Sequence, residues 1–86
     1  MTITNKILAD KILHYLQHKL TLSELVSWAE NAQMEDDFDE DNFETINKII
    51  SAIGLADVKA FGLTWEDCEK YLNQLGYKVK IETEVF

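Results

Sequence analysis

Apolar residues recur at intervals of three and four along most of the chain, and at intervals of two over its last ten residues. Together with the start and stop signals between them, this pattern predicts about four helices followed by one strand. The first helix opens at Thr4, whose hydroxyl suits an N-cap, with Ile3 and Leu8 spaced as a hydrophobic staple, and runs to about Lys19. At about 100° per residue, Leu8, Ala9, Ile12, Leu13, Tyr15 and Leu16 share one arc. Lys11, His14 and His18 face the other way, so one side of this helix is expected to be buried.

The second helix follows after a tight corner. Thr21-Leu22-Ser23-Glu24 is a capping box, and Leu20 and Leu25 supply the staple over it. Its apolar stripe is Leu22, Leu25, Val26, Ala29 and Ala32, with Trp28 at the edge, and it fades near Met34. The acidic run from Glu35 to Asp41 would repel itself inside a helix and is expected to be a loop. Asp41 and Glu44 then suit the start of a third helix, where the macrodipole favours carboxylates. That helix carries Phe43, Ile46, Ile49, Ile50 and Ile53 on one arc, and Gly54-Leu55 reads as a Schellman stop with Leu55 folded over Ile50.

Leu55 to Phe61 is expected to form a short helical turn ended by Gly62. Thr64-Trp65-Glu66-Asp67 opens a final helix in capping-box fashion, with Trp65, Cys68, Tyr71, Leu72 and Leu75 on its inner arc. Gly76 stops it, and Tyr77 is placed to fold back on Leu72. Beyond that point Tyr77, Val79, Ile81, Thr83 and Val85 alternate with Lys78, Lys80, Glu82 and Glu84, a strand pattern from Tyr77 to Val85. A strand needs a neighbour for its ladder, and Met1 to Thr4 could cover only a small part of this one. The strand is therefore expected to pair with another chain, either a second copy in a homodimer or the edge of a partner's sheet.

The chain has 86 residues, 47% of them hydrophobic, which is enough for one core and too few for two. The expectation is a single, mainly α-helical domain over residues 1–86. No apolar run is long enough to span a bilayer, and Met1-Thr2-Ile3-Thr4-Asn5-Lys6 lacks the order of a secretory signal, so the cytoplasm is the expected address. The single cysteine, Cys68, cannot form an internal disulfide. It falls on the apolar arc of the last helix, where a thiol behaves as a small inert hydrophobe rather than a nucleophile.

Charge changes the picture more than composition does. The net charge is −8, yet between Leu20 and Asn47 nine acidic residues stand with no basic one, so this segment carries the whole excess. All eight basic residues are lysines. Without arginine there is no bidentate fork for phosphate or guanine, which argues against nucleic-acid binding and phosphoryl transfer.

Three constellations were weighed for chemistry. Asp37, Asp39 and Asp41 occupy the first, third and fifth positions of an EF-hand register, but the sixth is Asn42 where a glycine is needed, and the twelfth is Lys48 where a glutamate should sit. His14 and His18 have the spacing of two metal ligands on one helical face, without a third ligand to complete a shell. The clustered carboxylates lack the desolvated partner that general acid catalysis requires. No catalytic residue, metal site or cofactor is expected.

The function expected on these grounds is that of a non-enzymatic protein-interaction module. It would dock a protein with a basic surface through Glu35, Asp36, Asp37, Asp39, Glu40, Asp41 and Glu44, without contacting nucleic acid or membrane. In size and acidity the chain resembles the small helical immunity proteins that inactivate bacterial nuclease toxins, and antitoxins; this implies a toxin-neutralising role, with a regulatory adaptor using the same kind of surface. The alternatives are a carboxylate-based metal-dependent enzyme and a domain whose acidity serves only solubility.

Overall fold

The computed structural model describes residues 2–58 and 62–78. Threonines open three of the four helices found there. Thr4 Oγ1 accepts the Ile7 N–H at 3.2 Å and starts α1 (Asn5–Leu16). Thr21 and Glu24 form the complete reciprocal box, at 3.1 and 3.0 Å, that starts α2 (Leu22–Glu35). Thr64 and Asp67 do the same, at 3.1 and 3.2 Å, for α4 (Trp65–Gln74). Each cap occupies backbone donors that the first turn cannot satisfy internally. The Thr21 N–H, bonded to the exposed Glu24 carboxylate, holds that carboxyl below its ordinary range.

The third helix, α3 (Phe43–Gly54), starts differently from expectation. A short 3-10 turn, Glu40–Asn42, runs straight into it, and Asp39 rather than Asp41 caps that turn, its carboxylate accepting from the Asp41 N–H and from Asn42 Nδ2. Asn42, next to the helix itself, makes no side-chain cap bond. The cap lies earlier because the turn claims the first unsatisfied donors.

Helix ends provide further corrections. The first helix stops at Leu16, not near Lys19: the Lys19 N–H donates to the His14 carbonyl at 2.8 Å and the His18 N–H to that of Tyr15 at 3.1 Å, with His18 at φ 62°. This is a Schellman reversal built on a histidine where glycine is the usual occupant. A Cβ in the left-handed region is unfavourable by about 1–2 kcal/mol. His18→Gly is therefore expected to stabilise the domain by up to about 1 kcal/mol after the glycine's extra unfolded-state freedom is deducted. Urea unfolding checks this, and a loss of stability would mean that the imidazole makes a contact worth more than the strain.

Gly54, in contrast, is the last residue of α3 as expected but does not take the left-handed conformation of a Schellman stop. It is buried, with Gln33 Oε1 and Glu30 Cγ within 3.5 and 3.9 Å of where its Cβ would sit. At the C-cap the Leu55 N–H reaches back to the Ala52 carbonyl, and Leu55 stands 58% exposed instead of covering Ile50. A second 3-10 turn, Ala56–Val58, follows, and Gly62 takes φ 62° before α4.

The expected Schellman motif at Gly76 is present. Gly76 has φ 94°, its N–H donates to the Asn73 carbonyl at 3.1 Å, and the Tyr77 N–H donates to that of Leu72 at 2.9 Å. That bond also removes the start of the expected strand: Tyr77 and Lys78 are not in a strand, because the Tyr77 amide closes the helix instead of entering a ladder. Val79, Ile81, Thr83 and Val85 lie outside the described residues, and so does the dimer pairing expected of them.

The N-terminal stretch has a different partner. Thr2–Ile3 (β1) runs parallel to Asp37–Phe38 (β2) in a two-stranded ladder, Thr2 opposite Asp37 and Ile3 opposite Phe38. The Asp39 N–H extends it to the Ile3 carbonyl at 2.9 Å. Part of the acidic run is thus strand, where a loop was expected.

Two helix pairs make the body of the domain. The Asn5 side chain reaches the Leu75 carbonyl and the Tyr15 hydroxyl the Leu63 carbonyl, so α1 and α4 lie antiparallel. Gln33 Nε2 donates to Ser51 Oγ at 3.0 Å, and Gly54 packs beside Glu30, which sets α2 antiparallel to α3. Between the pairs lie Leu8, Ile12, Leu25, Ile46, Ile49, Ile50, Ile53, Cys68 and Leu72, all fully buried, and no polar or charged residue among those described is buried with them. Burial of each large aliphatic side chain contributes about 1.5–3 kcal/mol. Among the described residues no helix is long and apolar enough to cross a membrane.

Two aromatic residues assigned to the core are not in it. Trp65 is 40% exposed and Phe43 50% exposed. Each sits in the first turn of its helix and borders an open groove, Trp65 beside the α1–α2 corner and Phe43 beside the Phe38 ring. Trp28 is half-buried with the Lys11 ammonium 5.6 Å from its ring centroid, a cation–π contact that covers the ring from the solvent side.

Candidate functional site

The acidic run is held in place by the one apolar residue within it. Phe38 is half-buried against the core, so β2 is pinned from below by its ring and from the side by the Thr2–Ile3 ladder. Residues flanking Phe38 then have to face outward. Asp37, Glu40 and Asp41 are exposed, and Asp36 and Asp39 are half-buried. With Thr2, Gln33, Phe43 and Asn47 they line an open groove of about 950 Å³ between the end of α2 and the start of α3. Phe38 and Phe43 meet in it with ring centroids 5.8 Å apart and planes tilted by 42°. The lining therefore combines five carboxylate-bearing residues with two aromatic rings and, among the described residues, contains no basic one.

Of the seven acidic residues expected to act together, five line this groove. Glu44 lies in a smaller hollow beside it that shares Glu40, Asp41 and Phe43. Glu35, exposed at the last position of α2, lines neither. Phe38 and Phe43 were not assigned to the site from sequence. The signal for Phe38 was present, since a lone aromatic in a run of acids must either be exposed or anchor the run. Phe43 was concealed by its fit to the isoleucine stripe of α3.

Electrostatics at the two helix ends beside the groove are opposed. Asp41 and Glu44 approach the N-terminus of α3, where carboxylates are favoured, whereas Glu35 ends α2 with no basic residue in that helix's last turn. A carboxylate at a helix C-terminus is unfavourable by about 0.3–1 kcal/mol. Local helix stability thus does not account for the acids on the α2 side.

Neither metal-ligand register seen in the sequence is assembled among the described residues. Asp39 commits its two carboxylate oxygens to the Asp41 N–H and Asn42 Nδ2, and Asp37 belongs to β2, so the EF-hand register is not a loop around a common centre. Histidines 14 and 18 do not share a helical face, because α1 ends between them and His18 is in the left-handed region. Among the described residues no group of three histidine, cysteine or acidic side chains is placed to hold a metal ion. The Cys68 thiol is buried and pushed up to about 12 by desolvation, with the nearby Asp67 charge adding to the effect. It is protonated at neutral pH and packs as an apolar side chain.

Comparisons of the chain with protein-family models, with curated proteins and with solved structures find no match, so the site is read from its own geometry.

Proposed function

We propose that this domain is a non-enzymatic protein-interaction module that docks a basic surface of another protein in the groove between α2 and α3. The observation that carries the reading is the composition of that groove: five acidic residues around a pair of aromatic rings, with no basic residue among the described residues of the lining. Carboxylates steer a cationic partner from a distance and set its orientation, and exposed rings supply apolar contact area and a face for an ammonium or guanidinium group. Phe43, half exposed, is the more accessible of the two rings. A toxin-neutralising protein of the immunity or antitoxin kind and a regulatory adaptor both belong to this class, and the identity of the partner separates them.

The test is capture of partners from the native cell on the immobilised domain, followed by binding kinetics of the purified partner over a series of salt concentrations. The expected partner presents a cluster of lysines or arginines, and its association slows as ionic strength rises. Association that is indifferent to salt, or a partner whose contact face is acidic, overturns the reading.

A further inference from the structure

We draw no further inference here: the strongest candidate, the apolar groove lined by Tyr15, Leu16, Leu20, Leu22, Leu63 and Trp65 where the α1–α2 corner meets the start of α4, carries nothing because nothing in the structure shows what covers it.

Discussion

Ile50→Ala is expected to destabilise the domain by about 2–5 kcal/mol, the range for truncating a large aliphatic residue in a core that cannot collapse around the cavity. Ile50 has no exposed surface and sits with Ile46, Ile49 and Ile53 on the face of α3 that packs on α2. Those neighbours are β-branched, with few rotamers available to fill the gap. Small domains have about 5–15 kcal/mol of stability in total, so the variant loses a large share of it, and its melting temperature falls by roughly 10 °C or more. Trp65→Ala serves as the control: a larger side chain is deleted, but one 40% exposed, so the loss should be clearly smaller than for Ile50. Thermal unfolding of the two variants side by side decides the matter. Equal losses would mean that Trp65 is held by contacts its exposure does not reveal.

The largest functional effect is expected from replacing Asp37, Glu40, Asp41 and Glu44 together by their amides. All four are exposed, so the fold should persist, and relief of mutual repulsion should roughly offset the loss of the Asp41 and Glu44 charges from the α3 N-terminus, leaving stability within about 1 kcal/mol of wild type. Asp39 is left intact because its carboxylate organises the turn that leads into α3. At low salt, association with a basic partner should slow by about tenfold or more, since steering of this kind contributes about 10–10³ to encounter rates. Near physiological salt the difference should shrink, because exposed charges are screened beyond about 8 Å. Dissociation should change less, being governed by the rings and close contacts. Stopped-flow measurements with wild type and variant at several salt concentrations read this directly. Parallel curves for the two proteins would show that the acidic groove does not guide the partner.

The helices were legible in the sequence because three of them begin with threonine caps, and their buried faces follow an uninterrupted period. What escaped depended on contacts distant in sequence. Gly54 has the local context of a left-handed stop, but it ends α3 in helical conformation, buried against Glu30 and Gln33. His18 gives no glycine signal, yet the chain reverses there because the corner between α1 and α2 demands it. Trp65 and Phe43 fit their arcs by angle; whether a neighbouring helix extends far enough to cover a first-turn residue is a question of tertiary geometry. That the acidic residues cluster was legible from charge spacing, whereas the shape of the groove they line was not. That shape depends on two residues near the N-terminus, and no local rule connects Thr2 with Asp37.

The ladder joining Thr2–Ile3 to Asp37–Phe38 closes a loop that contains both α1 and α2, and it does so with only two paired residues per strand. A tie so short across so long a loop is expected to be among the last contacts made in folding and among the first to open in the native state. Such fraying would release the Asp39 amide from the Ile3 carbonyl while α3 keeps its isoleucines buried. The groove would thus have a latch, with a closed population set by the ladder bonds and the burial of Ile3 and Phe38 on one side and loop entropy on the other. A partner seated across both strands would hold that latch shut, so binding and amide protection at Asp39 are expected to rise together. Native-state hydrogen exchange, with and without partner, measures this linkage. If the Asp39 amide exchanges only when the whole domain unfolds, the groove is rigid and its affinity owes nothing to closure.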